Sequence, residues 1–281
     1  MKLSVFYDHI LEAAKQTGLS TQQVLKTAKD SGINGIEINL TCLLKDEERI
    51  IQEIKEADMC ISCIYEFHNF EKSIDISYGK THIDTARRVG AKKILLVPGF
   101  VSEVQAALLR IPNASYPEVA QAMEQNENVQ KIKRTIVKLI PYAKERDISI
   151  TLEDFDAVTA PFSTLNQLRW FMEQAEGLKF TMDIGNFAFS DEDAYEAYSK
   201  LKKYVVHMHC KDRGKETNVS KYNKHNQGLA ACAVGDGYMP IEKIVKDQIA
   251  EGYDGFFAIE HFGVADQLSC IKKSALYLRT L

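Results

Sequence analysis

Three carboxylates and one histidine stand at the ends of four apolar, strand-like runs, and they are the strongest chemical signal in the sequence. Acids end the runs Ile148-Ser-Ile-Thr-Leu-Glu153, Leu178-Lys-Phe-Thr-Met-Asp183 and Gly255-Phe-Phe-Ala-Ile-Glu260. The fourth run, Tyr204-Val-Val-His-Met-His-Cys-Lys-Asp212, carries His209 where apolar residues give way to charged ones. Carboxylate and imidazole groups delivered by four strands are the composition of a divalent-metal site. The alternative is that each acid pairs with a Lys or Arg side chain at the rim of the fold.

The fourth run contains two histidines, and the two-residue period of a β-strand turns both of them to one face. His207 and His209 therefore point together toward either a polar site or a core. A buried strand whose carboxyl end emerges into a polar site agrees with the apolar first half of the run. Two hydrogen-bonded core histidines are the alternative, and the acids on the other three runs favour the metal site. His207 is expected to pack inside the fold or to support the metal ligands.

Strand-like runs alternate with amphipathic helical stretches along the whole chain of 281 residues. Regular alternation predicts a parallel sheet, and eight such units in a chain of this length predict a closed (β/α)8 TIM barrel in the α/β class. Because no linker or change of composition interrupts the alternation, residues 1–281 are predicted to form a single domain. The predicted strands are residues 3–7, 35–40, 60–65, 93–97, 149–153, 180–183, 205–209 and 256–260. The predicted helices are residues 21–29, 46–57, 77–89, 129–144, 163–174, 191–203, 240–250 and 265–279.

Two long insertions follow predicted strands and are therefore expected on the carboxyl face, where barrel active sites are found. Residues 100–128 include a predicted helix at 103–110, and residues 213–233 contain three lysines and a histidine. Loops of this length at this end of a barrel are commonly lids or binding loops. A solvated loop or a contact between subunits is the alternative for the first insertion.

Composition and charge argue against several classes of protein. The chain is 45% hydrophobic and 26% charged, as in soluble globular proteins. Its formal net charge of −4 and its pI of about 6.0 argue against a nucleic-acid-binding protein. No apolar run is long enough to span a membrane, and an acid at Asp8 argues against a secretory signal, so a cytoplasmic location is expected. The six scattered cysteines predict buried thiols and not a disulfide framework.

Five motifs surround the candidate ligands and the turn after the histidine strand. They are Thr151-Leu-Glu-Asp-Phe155, Met182-Asp-Ile-Gly-Asn186, Val206-His-Met-His-Cys-Lys-Asp212, Val234-Gly-Asp-Gly237 and Ala258-Ile-Glu260. Together they resemble the xylose isomerase-like TIM barrels, and among these the sugar (phosphate) isomerase/epimerase family. The resemblance extends over essentially the whole chain. Its motifs are fairly specific for the superfamily, whereas they say little about the substrate.

The resemblance implies that Glu153, Asp183, His209 and Glu260 bind one divalent metal ion, and that Glu153 and Glu260 are the catalytic acid/base pair. This oxygen-rich ligand set suits Mn²⁺ best and also accommodates Mg²⁺, Co²⁺ or Zn²⁺. A metal that bridges a ketone oxygen and its neighbouring hydroxyl stabilises an enediolate, and the two glutamates move the proton. Return of the proton to the opposite face is epimerisation, and return to the neighbouring carbon is aldose–ketose isomerisation.

Four further residues are predicted to bind the substrate by the same resemblance: Asn186, His68, Lys215 and Glu37. Asn186 stands where many relatives have a histidine, although some sugar-phosphate epimerases also carry Asn there. Lys215 stands where several epimerases have Arg, and a Lys binds a hydroxyl or a phosphate without a bidentate contact. His68 follows the third predicted strand, with a surface histidine as the alternative, and Glu37 contacts either the substrate or a Lys or Arg of the barrel.

A carbohydrate is therefore the predicted substrate of a ketose epimerase or aldose–ketose isomerase. A metal-dependent dehydratase of the inosose or dehydroshikimate type is the alternative, because such enzymes use the same barrel and also remove a proton beside a carbonyl. Endonuclease relatives need more histidines and a basic surface, and a non-catalytic sugar-binding barrel would have lost its ligands. The endonuclease and the non-catalytic barrel therefore rank below the isomerase or epimerase and the dehydratase. A homodimer or homotetramer is compatible with the resemblance.

Overall fold

The computed structural model describes residues 1–111, 113–214 and 228–281. Apolar and β-branched residues dominate the longer strands, as expected for strands that are buried on both faces. The strands are β1 (Lys2–Phe6), β2 (Ile33–Asn39), β3 (Cys60–Phe67), β4 (Lys93–Val97), β5 (Ser149–Glu153), β6 (Lys179–Asp183), β7 (Val205–Lys211), β8 (Arg213–Gly214), β9 (Ala230–Ala231) and β10 (Phe256–Glu260).

Eight of these strands form a closed parallel barrel in the order β1, β2, β3, β4, β5, β6, β7, β10. Pairing of β1 with both β2 and β10 closes the barrel. The short strands β8 and β9 pair antiparallel above it. The predicted (β/α)8 TIM barrel is confirmed. Because all barrel strands run in one direction, the carboxyl ends of β5, β6, β7 and β10 meet at one mouth.

Helices surround the barrel and bury their apolar faces against its outer surface. Side-chain caps mark several of their starts; Ser20, for example, accepts a hydrogen bond from Gln23 N in a capping box. The helices are α1 (Tyr7–Thr17), α2 (Thr21–Asp30), α3 (Leu40–Lys45), α4 (Glu47–Glu56), α5 (Ser77–Val89), α6 (Glu103–Leu109), α7 (Tyr116–Gln125), α8 (Glu127–Lys144), α9 (Leu165–Gln174), α10 (Ala194–Leu201), α11 (Ile241–Ala250) and α12 (Gln267–Leu278).

Three helices were not predicted from the sequence. Helix α1 begins immediately after β1 with no capping side chain at Phe6, so the usual start signal is absent. Helix α3 is six residues long, which is too short for a clear helical period. Helix α7 lies in the insertion at 100–128, where only α6 was expected. The insertion is therefore largely helical and packs α7 against α9 and α8.

Two expectations about the chain can be compared with the described residues. None of the helices there has both the length and the apolar character needed to cross a membrane. The six cysteines are free thiols. Cys63 is buried and Cys60 is exposed, in agreement with strand positions three apart lying on opposite faces, but not every cysteine is buried as expected.

The carboxylate of Asp212 organises the turn that leads from the mouth of the barrel into α11. One of its oxygens accepts hydrogen bonds from Arg213 N and Met239 N, and the other from Gly235 N and Gly237 N, at 2.9–3.0 Å. A Cβ at Gly237 would overlap this carboxylate, which explains the glycine. The sequence Gly235-Asp-Gly237 thus shapes a turn around an internal acid, and its amides are used within the protein.

Replacement of Asp212 by Ala should therefore leave four amide groups without partners and destabilise the protein strongly. We expect a loss of about 4 kcal/mol in the free energy of unfolding, since each unsatisfied buried group costs about 1–3 kcal/mol. Asp212→Asn keeps one acceptor oxygen and should lose about half as much. Asp236→Ala, at an exposed position of the same turn, is the control and should change stability by less than about 0.5 kcal/mol. Urea unfolding measures all three, and equal midpoints for Asp212→Ala and Asp236→Ala would contradict the assignment.

Candidate metal centre

The four predicted ligands come together at the carboxyl mouth of the barrel. Each of Glu153, Asp183, His209 and Glu260 offers one ligand atom, and these atoms all lie within 4.8 Å of one another. His209 Nδ1 is 3.0 Å from Glu153 Oε2 and 3.1 Å from Glu260 Oε2. Asp183 Oδ2 lies 4.0 Å from the same nitrogen. Ligand atoms that converge from four adjacent strands form a compact polar cluster, here called the metal centre.

The hydrogen bonding of these atoms fits a cation at their centre. Glu153 Oε2, Asp183 Oδ2 and His209 Nδ1 are buried and have no hydrogen-bond partner in the described part of the chain. The short contacts between Nδ1 and the carboxylate oxygens lack the alignment of a hydrogen bond, so the nitrogen points between the two oxygens. Buried polar atoms are normally paired, and three that face one point indicate a missing common partner. A divalent cation with oxygen and imidazole ligands meets that need.

Backbone amides orient the carboxylate of Asp183. Its Oδ1 accepts hydrogen bonds from Gly185 N at 2.7 Å and Asn186 N at 2.9 Å, which leaves Oδ2 facing the metal centre. Glycine is required at 185 because a Cβ there would lie 2.6 Å from the carbonyl oxygen of Lys211. The motif Met182-Asp-Ile-Gly-Asn186 thus forms a turn that fixes one oxygen and presents the other.

Glu37 holds the opposite side of the histidine ligand. Its carboxylate is fully buried, lies 2.7 Å from His207 Nε2 and lies 3.2 Å from His209 Nε2. A proton on His209 Nε2 shared with Glu37 leaves Nδ1 as the ligand atom. Burial disfavours the imidazolium, but the charge of Glu37 and the contacts with Glu153 and Glu260 together outweigh it and raise the pKa of His209 well above its usual value. Glu37 is therefore placed to position the ligand. Among the described residues it does not line the cavity above the centre.

Lys211 also belongs to the metal centre, although it was not predicted. Its Nζ is 2.6 Å from Glu260 Oε1 and 3.7 Å from Asp183 Oδ2. The two-residue period of β7 places His207, His209 and Lys211 on one face, so the sequence carried a signal for it. A buried ammonium here offsets part of the negative charge that three carboxylates concentrate.

Burial and neighbouring charges shift the pKa values of the three carboxyl groups in different directions. Burial is the main reason why the pKa of Asp183 rises to about 8 and why the pKa of Glu153 rises as well. At Glu260 burial acts in the same direction, but the charges of Lys211 and His209 outweigh it and hold the pKa well below its usual value. The cluster thus favours added positive charge, either as protons or as a bound cation.

A cavity of about 570 Å³ opens above the metal centre. Glu153, Glu260 and Lys211 line its floor, and Asn186 and Arg213 line one side. This volume lies within the usual range for small-molecule sites. Aromatic and aliphatic side chains form the remaining wall; they are Phe6, Tyr65, Phe67, Leu95, Val97, Phe155, Leu229, Ala230, Ala231 and Phe262.

The predicted substrate-binding residues differ in their location. Asn186 reaches the cavity, but its Nδ2 donates to the Asp154 carbonyl oxygen at 2.9 Å and its Oδ1 accepts from Arg213 at 3.0 Å. His68 is buried away from the cavity, where it stacks on Phe70 and contacts His82. Lys215 lies outside the described residues. Arg213 was missed by sequence reasoning, and its guanidinium fixes Asn186 and the carboxylate of Asp156.

A second group of potential ligand atoms lies deeper in the barrel. Glu37, Cys63 and His207 place ligand atoms within 4.8 Å of one another. The Glu37 carboxylate is already in contact with two imidazoles, and burial raises the pKa of Cys63 well above its usual value. A thiol that stays protonated is a poor metal ligand. This group therefore serves as the support of His209.

Solved structures with the same architecture include enzymes and a magnesium complex. The probable 3-DHS dehydratase AsbF from Bacillus anthracis has 18% identity and a TM-score of 0.68, with 99% of each chain covered. The 3-keto-D-glucoside 4-epimerase YcjR from E. coli has 15% identity and a TM-score of 0.63, covering 90% of this chain and 91% of that one. A xylose isomerase-like TIM barrel protein from Mycobacterium smegmatis in complex with magnesium has 17% identity and a TM-score of 0.62, covering 91% and 86%. At these identities the likeness establishes the fold alone.

The protein is thus a TIM barrel with a cluster of three carboxylates and one histidine at its carboxyl mouth. The family model described as xylose isomerase-like TIM barrel matches residues 25–281. The chain therefore belongs to the xylose isomerase-like TIM barrel family. No curated protein sequence matches it.

Proposed function

We propose that the protein is a divalent-metal-dependent isomerase or epimerase that acts on a sugar. The observation that carries the proposal is the convergence of four buried ligand atoms on one point at the floor of a cavity. Three of the four ligands are carboxylates, and Glu153 and Glu260 also reach the cavity, so they can touch a bound substrate. A cluster of this kind is suited to removal of a proton next to a carbonyl group.

Glu153 and Glu260 are the proposed acid/base pair. They belong to β5 and β10, which are separated by β6 and β7 in the barrel, and therefore approach the cavity from different directions. One carboxylate takes the proton from the carbon that carries the hydroxyl, and the electron pair of the broken C–H bond moves toward the carbonyl oxygen. The other glutamate returns a proton to the opposite face of that carbon, which yields the epimer. Return to the former carbonyl carbon yields the isomer.

The metal proposed for the centre is Mn²⁺, with Mg²⁺, Co²⁺ or Zn²⁺ as other ions that this ligand set accepts. When bound, such an ion supplies Lewis-acid stabilisation of the charge that develops on the substrate oxygens. The ion would be held by Glu260, by His209 Nδ1 and by the buried oxygens of Glu153 and Asp183 that have no hydrogen-bond partner among the described residues. Lys211 adds a fixed positive charge beside Glu260 and keeps that carboxylate ionised.

Metal content and hydrogen exchange test the proposal together. We expect the wild-type protein to retain about one Mn²⁺ per chain after dialysis, as measured by elemental analysis, and Asp183→Ala to retain none because one ligand is lost. Metal-loaded wild type should introduce solvent deuterium at the hydroxyl-bearing carbon of ketoses, as measured by NMR. Asp236→Ala is the matched control and should behave as wild type. No metal retention and no thermal shift with any divalent ion would overturn the proposal.

A dehydratase of the inosose or dehydroshikimate type is the second candidate. The observation that favours it is Lys211, a buried ammonium that lines the cavity and can donate a hydrogen bond to a departing hydroxyl. The carboxyl group that has taken the proton from carbon would return it to that hydroxyl, which leaves as water. The first step, removal of a proton beside the carbonyl, is common to both reactions. Mass spectrometry of the product separates them, because an epimer keeps the mass of the substrate and a dehydration product loses the mass of one water.

A further inference from the structure

An unbroken row of aromatic rings forms one side of the cavity above the metal centre. The rings of Phe262, Phe6, Tyr65, Phe67 and Phe155 contact one another in that order, with centroid distances of 5.3, 5.5, 6.5 and 5.9 Å. All five side chains line the cavity. This set is called the aromatic wall. The charged groups Arg213 and Asp156 line the same cavity.

Two members of the aromatic wall expose apolar surface that no other part of the described chain covers. Phe67 and Phe262 are 46% and 44% exposed, whereas Phe6 is buried. Large apolar side chains exposed inside a concave site commonly mark the surface that a ligand covers. Aromatic faces bind other rings and the C–H faces of cyclic molecules, with a preference for offset or edge contacts. The exposed rings therefore point to a ligand that carries an apolar ring face.

The charged groups of the cavity do not favour a phosphate group. Among the described residues that line it, the cations are Lys211 and Arg213, and each is already paired. Lys211 Nζ lies 2.6 Å from Glu260, and an Arg213 nitrogen lies 3.1 Å from Asp156. Arg213 also donates to the carbonyl oxygens of Gly185 and Leu229 and to the Asn186 side chain. Among the described residues that line the cavity, a phosphate would therefore meet carboxylates and cations that are already paired.

We propose, on the basis of the function proposed above, that the substrate is a hydroxyketone with an apolar ring face next to its reacting edge. The hydroxyketone edge lies over the metal centre, and the ring lies against the aromatic wall. The aromatic wall thus determines specificity, whereas the metal centre determines the reaction. Open-chain ketoses lack such a ring face.

Three probes that share the group HO–CH2–C(=O)– test this inference: hydroxyacetone, dihydroxyacetone phosphate and 2-hydroxyacetophenone. They differ only in the methyl, phosphorylated or phenyl substituent. Binding is measured by calorimetry and by saturation-transfer NMR. Both measurements use protein that is loaded with Mg²⁺ and free of Mn²⁺. We expect 2-hydroxyacetophenone to bind at least about tenfold more tightly than hydroxyacetone, because its ring buries more apolar area. Dihydroxyacetone phosphate lacks a ring and should bind less tightly than 2-hydroxyacetophenone.

A matched pair of variants assigns the preference to the aromatic wall. Phe67→Leu removes an exposed ring of the wall, and Phe189→Leu makes the same change at a position that does not line the cavity. We expect Phe67→Leu to weaken 2-hydroxyacetophenone about fivefold, within the range of aromatic contacts, and to leave hydroxyacetone unchanged. Phe189→Leu should change neither affinity. Because Phe67 is 46% exposed, its replacement should leave the fold intact.

The possible results separate this inference from the proposed function. Equal binding of the phenyl and methyl probes, tighter binding of the phosphate than of the phenyl probe, or equal effects of the two variants would overturn the inference. Deuterium incorporation into hydroxyacetone by the metal-loaded wild type reports on the proposed function independently. A preference for the phenyl probe without any deuterium incorporation would support the aromatic wall and overturn the enzymatic proposal.

Discussion

Replacement of Glu260 or Glu153 by Gln should reduce deuterium incorporation into the substrate by about 10²–10⁴-fold, the usual contribution of a general acid or base. A Gln side chain keeps an oxygen that can bind a cation but cannot accept a proton from carbon. The two glutamates approach the cavity from different directions, so each variant should lose deuterium exchange for one epimer first. NMR of deuterium incorporation, run separately with each epimer of a substrate pair, measures this difference.

Two controls test whether these variants act indirectly: their free energy of unfolding, and a substitution far from the cavity. Burial above all raises the pKa of Glu153, so the neutral Gln side chain should leave the free energy of unfolding unchanged or raise it near pH 8. Glu242→Gln, on the exposed face of α11, is the matched control and should keep full activity. The acid/base assignment would be contradicted if both cavity variants kept deuterium incorporation within about threefold of wild type. Even the lower end of the expected loss is about 10²-fold.

Replacement of Glu37 by Gln should weaken metal binding by about 10–100-fold, although Glu37 is not among the expected ligands. Its carboxylate lies 3.2 Å from His209 Nε2, and Gln would replace one acceptor oxygen by an amide donor. The histidine would then lose the negative charge that fixes its tautomer. Calorimetric titration with Mn²⁺ measures the loss of affinity, and the substrate KM at saturating metal should change less than the metal affinity does.

The same substitution should destabilise the protein in a pH-dependent manner. Although burial opposes ionisation, His209 and His207 lower the pKa of Glu37 from 4.5 to about 2, a shift worth about 3 kcal/mol. A depressed carboxyl pKa contributes stability above pH 4.5, and this contribution is lost as the pH falls toward 2. The difference in unfolding free energy between wild type and Glu37→Gln should therefore be largest at pH 7 and become smaller as the pH falls below 4.5.

Glu66 offers a control for the effect of any buried glutamate. It lies in the next strand, β3, and its Oε2 accepts hydrogen bonds from Thr41 and Tyr78, away from the metal centre. Glu66→Gln should lower stability without a change in Mn²⁺ affinity. If Glu37→Gln and Glu66→Gln affected metal binding equally, the role of Glu37 as the residue that positions His209 would be wrong.

Sequence reasoning was most successful where a side chain stands at the end of a strand. Glu153, Asp183 and Glu260 each end an apolar run, and the parallel barrel brings such ends to one mouth. It was less successful inside the site. Lys211 shares the face of His209 through the two-residue period of β7, but its pairing with Glu260 depends on the register between β7 and β10.

Helices without a sequence signal at their start were also missed. Helix α1 follows β1 directly, and Phe6 supplies no capping side chain, so its first turn is stabilised by packing. Its burial against the barrel and its contacts with α12 depend on residues from the other end of the chain. A tertiary contact of this kind has no counterpart in a local pattern.

The sequence by itself therefore determined the barrel and the set of candidate metal ligands, because strand periodicity and strand ends are local properties. Only the tertiary structure decided that Glu37 contacts a histidine 172 residues away, and hence that His209 presents Nδ1 to the centre. It also brought the aromatic wall together, since Phe6 and Phe262 meet only when β1 and β10 close the barrel. Contacts between residues so far apart depend on barrel closure and strand register, which local sequence patterns do not specify.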